Sequence, residues 1–314
     1  MEKKRDLSLD YAKGLAMLSI IIGHLYFYTN RFDGSLVGTI CDVIQIPVFM
    51  YISGLLAHIS IDRYGFRKLI VSKVIRLLFP FVSFCIIWCI IDPSKIHRFL
   101  YSEFKFGYWF LPVLFELMVI LSFVRRVQTK FKIPSYITNG VIYALITLYL
   151  MLVPRGNLFN TMFSINLLWH YYPFFMLGYY YYRIIRFMSL SYAPVYLVVF
   201  IVALYFCFNG GPKALEAVCN ISSLMFIVTM LNNNIMPGKK LFTPVGEASM
   251  QVYMVHFFLL MPLVKVLPIV SNRWLEFPYY AAIAICIIAV TIFISRLLMK
   301  SSWLAMILFG IRRK

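Results

Sequence analysis

The chain has 314 residues, of which 62% are hydrophobic and only 13% charged, and its mean hydropathy is +0.82. That balance excludes an ordinary water-soluble domain and leaves a lipid bilayer as the solvent. The formal charge of +18 would suit a nucleic-acid binder by size alone, but the basic residues stand in short blocks between apolar runs, the pattern of membrane topology.

Apolar runs of roughly 20 residues, each long enough to cross a hydrocarbon core of about 30 Å, recur along the chain. Ten are predicted, over residues 9–29, 36–59, 74–91, 108–124, 137–153, 167–183, 192–208, 214–231, 248–270 and 277–299. They are continuous rather than alternating, which excludes barrel strands. The expected fold is therefore all-α, a polytopic bundle of about ten transmembrane helices forming one domain over residues 1–314. Basic blocks at 3–5, 63–76, 125–132, 183–186, 239–240 and 296–314 alternate with loops that carry only Arg31, Lys95, Arg98, Lys105, Arg155, Lys213, Lys265 and Arg273. The positive-inside rule then places both termini in the cytoplasm, as an even number of spans requires. No connecting segment is long enough for a soluble catalytic domain, so chemistry or transport is expected within the bundle or at its edge.

The first span follows a basic stretch, as a signal peptide would, but it is too long and lacks a small-residue cleavage site, so it is expected to remain a helix. Ionisable groups inside a span cost a few kcal/mol unless paired or hydrated, roughly +2.5–3.5 kcal/mol on insertion scales, which makes each a functional candidate. Asp10, Lys13, Met17, Ile20 and His24 follow three-four spacing and share one face. Lys13 falls near the cytoplasmic surface and His24 in the outer half of the bilayer, about 16 Å further along the axis. Lys13 has the alternative of snorkelling to the interface and pairing with Asp10, and His24 that of an interhelical packing hydrogen bond.

The second span adds Asp42, Gln45 and His58. At the start of the third, Lys73 and Arg76 share a helix face where an anionic ligand can be held, although the block also reads as topology and attraction to anionic lipid. The fourth enters at Tyr108 and Trp109 and places Glu116 about 10 Å deep, near the level of His24, with contact between them left open. In the sixth, Trp169, His170, Tyr171 and Tyr172, with Tyr179 to Tyr182 at the other end, read as aromatic belts, with sugar stacking a secondary role. In the ninth, Gly246, Ser249, Tyr253 and His256 share a face, and a packing seam ending in a hydrogen-bonded histidine is preferred to a catalytic His256. The six cysteines lack metal-ligand spacing and read as small buried residues; only Cys207 and Cys219, flanking one external loop, are candidates for a bridge.

The stretch from Leu9 to Ala16 with Gly23 and His24, the Pro47 to Gly54 segment containing Ser53, the Lys73 to Arg76 segment followed by Pro80, the Tyr108 to Pro112 segment, and Gly246 through Ser249 and Tyr253 to His256 occur in that order. Together they resemble the acyltransferase-3 family of membrane proteins, nearest to its sugar O-acetyltransferase branch. The resemblance implies an acyl-coenzyme A donor, acetyl-CoA above all, as substrate rather than a permanently bound cofactor. It also implies a cell-surface glycan or lipid-linked sugar as acceptor, and a bacterial cytoplasmic membrane as location. No metal and no nucleic-acid partner are expected, and the oligomeric state stays open. Many sugar-acetylating relatives carry a histidine where this chain has Gln45, which can supply only the hydrogen-bonding part of such a residue's work. The external esterase-like domain fused to some relatives has no counterpart in these residues.

The pantetheine arm reaches roughly 15–18 Å, about the distance from Lys13 to His24. Coenzyme A phosphates resting near Lys13, Lys73 and Arg76 would thus bring the thioester to His24. The expected roles are His24 as general base and Glu116 as the carboxylate that orients it or stabilises its imidazolium, with Asp10, Gln45, Ser53, Tyr108, Trp109 and His256 as further lining. A covalent acyl-histidine is the alternative chemistry. A carrier or flippase for lipid-linked sugars is the alternative function, and the absence of a repeat between the two halves favours the enzyme.

Overall fold

The computed structural model describes residues 6–29, 35–63, 65–212, 214–268, 270 and 272–311. Of the basic residues that set the expected topology, Lys3, Lys4, Arg5, Arg31, Lys213, Arg312, Arg313 and Lys314 lie outside the described residues, as do the side chains of Arg63 and Arg273. Every predicted span falls on a helix, and no strand occurs among the described residues. Among the described residues, six helices are long and apolar enough to cross a membrane. The protein is a polytopic helical membrane protein.

Two compact units divide the chain, the first from residues 1–52 and 181–298, the second from 53–180 and 299–314. In the first, helix α1 (Leu7–Tyr28) starts where the Asp6 carboxylate accepts from the Ser8 amide at 2.9 Å. Helix α2 (Leu36–Arg63) supplies its first half to this unit, where Val43 packs with Ala203, Leu204 and Cys219 of α7 (Ala193–Phe208) and α8 (Ala214–Asn232). In the second unit, α3 (Phe66–Ile91), α4 (Phe110–Phe131), α5 (Ser135–Leu152) and α6 (Ile165–Tyr179) follow in sequence. Asn139 ties α5 to α6, accepting from Tyr172 at 2.8 Å and donating to the Tyr180 hydroxyl at 2.6 Å. Exposed apolar side chains such as Leu145, Leu148 and Met151 on α5 and Val195, Val198 and Ile201 on α7 form faces too apolar for water, as lipid contact demands.

The spans differ from expectation at several of their ends. The ninth is α10 (Ser249–Leu263), shorter than expected at its end, and Gly246 belongs to a separate preceding helix, α9 (Lys239–Glu247), so it does not share a helix face with Ser249, Tyr253 and His256. Gly246 instead lies against the Asp10 carbonyl and Gly14 against that of Phe242, an approach of α1 to α9 that no side chain at either position would allow. The sixth stops at Tyr179, with a separate short helix at Tyr181–Ile184. Beyond α11 (Arg273–Leu298), an additional helix, α12 (Ser302–Phe309), occupies a stretch expected to supply only charge. All six cysteines are free, including Cys207 and Cys219.

Candidate functional site

The polar residues form one constellation in each unit. In the first, α1 is unbroken from Leu7 to Tyr28, so Lys13 and His24 keep their axial separation of about 16 Å. Lys13 Nζ lies 2.6 Å from Asp10 Oδ1, the pairing that their three-residue spacing allows, with Asp10 almost fully buried. Tyr11 anchors the same end through a hydrogen bond from its hydroxyl to the Pro237 carbonyl at 3.0 Å.

At the other end the His24 ring lies parallel to that of His256, with 5.5 Å between centroids and 4° between planes, and the Phe257 ring sits 5.1 Å from His24. His256 is fully buried. Its Nδ1 lies 3.0 Å from Val252 O and 2.8 Å from Tyr253 O, two acceptors that fix the proton on this nitrogen. Nε2 is then a buried lone pair, and no hydrogen-bond partner meets it among the described residues. The preferred packing reading of His256 accounts for Nδ1 and leaves Nε2 unexplained. Gln45 reaches the same region from α2: a side chain added at Gly23 would sit 3.4 Å from Gln45 Oε1 and from Cys41 Cβ. The Gln45 amide donates to Asp42 Oδ1 at 3.2 Å, while its Oε1 is buried without a hydrogen-bond partner.

The second unit carries its polar residues on distorted backbone. Lys73 and Arg76 do not lie on a regular helix face, because residues Val74–Leu78 form a π-helical turn in which the Phe79 amide reaches back to Val74 O. Pro80 provides the reason. It has no N–H to bond the carbonyl of Arg76, and its ring crowds that carbonyl, so the regular ladder cannot run through this point. Arg76 is exposed and Lys73 half-buried.

Three consecutive residues before the fourth span, Lys105, Phe106 and Gly107, have φ of 47°, 53° and 92°, in the left-handed region. Lys105 was expected as one more charge in a sparsely basic loop. It is buried instead, and its ammonium donates to Leu100 O at 3.0 Å and Thr161 O at 2.9 Å. Burial pulls its pKa below the ordinary lysine range, while the nearby carboxyl groups of Glu116 and Glu103 act in the opposite direction. Nothing in the sequence separates this lysine from an ordinary loop lysine. The turn delivers Tyr108 into a fully buried place where its hydroxyl accepts from Trp88 Nε1 at 3.1 Å, and leaves Trp109 stacked on Tyr171 with 5.1 Å between centroids. Glu116 follows on α4, with Oε2 buried and no hydrogen-bond partner among the described residues. Ser53 is half-buried beside Gly54, which lies against the Phe175 carbonyl of α6. The described residues contain no group of three or more His, Cys, Asp or Glu able to hold a metal ion.

A model of the acyltransferase domain matches residues 6–296. The chain is similar to nodulation protein NolL of Mesorhizobium japonicum, with 29% identity over 239 residues that cover 69% of this chain and 59% of that protein. It is also similar to nodulation protein NolL of Sinorhizobium fredii, with 27% identity over 196 residues covering 56% of this chain and 48% of that one. It thus spans about half the length of these relatives. No solved structure matches it.

Proposed function

The chain belongs to the acyltransferase-3 family, and on that premise we propose that it moves an acyl group, in the first instance acetyl, from cytoplasmic acyl-coenzyme A to a hydroxyl of a cell-surface glycan or lipid-linked sugar. The carrying observation is the line of polar groups on α1, an ion-paired lysine at one end and a histidine stacked on a second histidine at the other. Their spacing of about 16 Å suits the pantetheine arm, and a transferase needs such a reach to draw its donor from one face while its acceptor waits near the other.

In the reaction the acceptor oxygen attacks the thioester carbonyl carbon while His24 removes the hydroxyl proton. The tetrahedral intermediate collapses with cleavage of the C–S bond, and the imidazolium returns its proton to the departing thiolate, giving the sugar ester and free coenzyme A. His256 is assigned to holding the ring of His24 in register, and Glu116, in the second unit, is kept as a further ionisable group of the reaction. Lys73 and Arg76 in the second unit, and Lys13 in the first, are each assigned to recognition of donor phosphate. Asp10 orients Lys13, Gln45 lines the constellation of the first unit, and Ser53, Tyr108 and Trp109 line that of the second. A cytoplasmic donor goes with cytoplasmic termini, and the rhizobial relatives support a bacterial cytoplasmic membrane.

The test is incubation of membranes containing the protein with isotopically labelled acetyl-CoA, followed by isolation of the glycan and lipid-linked sugar fractions. Label in an alkali-labile ester of one fraction, dependent on the protein, is expected. A carrier for lipid-linked sugars would translocate its cargo and leave these fractions unlabelled.

A further inference from the structure

The helix α12 lies beyond the residues matched by the family's domain model, yet it packs on α3 at the turn assigned to the donor. Three contacts hold it there. Ser83 Oγ of α3 lies 2.9 Å from the Ile307 carbonyl, and the Phe84 and Phe309 rings approach to 6.4 Å. The third is Gly310, which ends α12 with φ of +64° while its amide donates to Met306 O at 2.9 Å. A side chain at Gly310 would place its Cβ 2.6 Å from Arg76 Cα and 2.6 Å from the Ile75 carbonyl oxygen. Only glycine satisfies both the left-handed backbone and this approach.

The position of this contact matters because Arg76 lies inside the π-helical turn, and Pro80 has removed the amide that would fix the Arg76 carbonyl from within the helix. Backbone that departs from the regular helical ladder depends more on what packs against it. At Arg76 that neighbour is Gly310.

We propose that α12 and Gly310 form a wall that sets the backbone of the Lys73–Arg76 turn, making Gly310 a positioning residue for recognition of the donor's phosphates. The inference rests on the donor-site reading above. It assigns a role in donor binding to a segment outside the family's matched residues, with no contact to the ligand required.

The experiment compares coenzyme A binding to purified full-length wild type, Arg76→Gln, Gly310→Ala and the double variant, each checked for correct membrane insertion. Arg76→Gln is expected to weaken binding by about tenfold, roughly the worth of one charge-assisted contact, and Gly310→Ala by a similar factor. If Gly310 acts through Arg76, the double variant binds no more weakly than Arg76→Gln alone, whereas independent effects would multiply. The donor KM should rise in Gly310→Ala with turnover at saturating donor retained. Should Gly310→Ala fail to accumulate, Ser83→Ala, which removes the bond to Ile307, takes its place in the same comparison. Wild-type affinity in Arg76→Gln would overturn the donor-site reading. Weakened binding in Arg76→Gln together with wild-type affinity in the wall variant, or multiplicative losses in the double variant, would overturn the role of the wall and leave the donor site standing.

Discussion

The two units hold their polar groups in physically different ways. In the first, Asp10, Lys13 and His24 ride on one regular helix, whose rise fixes their separation without help from neighbours. In the second, Arg76 lies in a π-helical turn and Lys105 in a left-handed one, so external contacts hold both: Gly310 against Arg76, and two backbone carbonyls around the Lys105 ammonium. A regular helix works as a ruler and suits a reaction in which the donor's length must match a distance. A distorted turn presents backbone and charge in directions a helix cannot, at the cost of dependence on its packing.

The comparison breaks most visibly at His24. His24→Ala and His24→Gln should insert and accumulate normally yet lose acyl transfer by about 10²–10⁴-fold, the usual worth of a general base, in a labelled-acetate assay normalised to protein in the membrane. Near-normal transfer by either variant would remove the chemistry from α1. Glu116→Gln is expected to lower turnover by about tenfold to a hundredfold with a smaller change in donor affinity. Parallel loss of abundance and activity would give Glu116 a purely structural role.

The next effect is on binding. Lys73→Gln with Arg76→Gln should weaken coenzyme A at least about tenfold by calorimetric titration, given about 1.5–3 kcal/mol for each charge-assisted contact. Unchanged affinity would mean that these residues serve topology, since several basic neighbours remain. The smallest effect concerns the left-handed turn. Lys105→Met leaves two carbonyls without their donor and should destabilise the protein by about 1–3 kcal/mol, seen as a lowered melting temperature at unaltered coenzyme A affinity. A melting temperature equal to wild type would show that the turn does not depend on this lysine.

The same contrast governs what could be read from the sequence. The Asp10, Lys13 and His24 line was legible because a regular helix converts spacing directly into geometry, and the span positions followed from apolar length. The stacking of His24 on His256 was not, because spacing says nothing about which helices touch. Pro80 was visible, but its effect on the Lys73–Arg76 face depends on how the helix absorbs a missing amide, here by widening into a π turn. Lys105 carried no signal, since its burial is created by the Leu100 and Thr161 carbonyls of separate segments. The break at Ala248 that puts Gly246 on a separate helix from Ser249 carried no sequence signal, and α12 is too short to stand out as a membrane span.

The central claim, that α1 carries the proton transfer, is tested most directly by label incorporation from saturating acetyl-CoA in membranes containing His24→Gln protein beside wild type. At saturation donor affinity no longer matters, so the assay isolates the chemical step. The account predicts that His24→Gln protein, inserted and abundant as wild type and still binding coenzyme A, leaves the acceptor fraction essentially unlabelled. Incorporation at a rate close to wild type would contradict it.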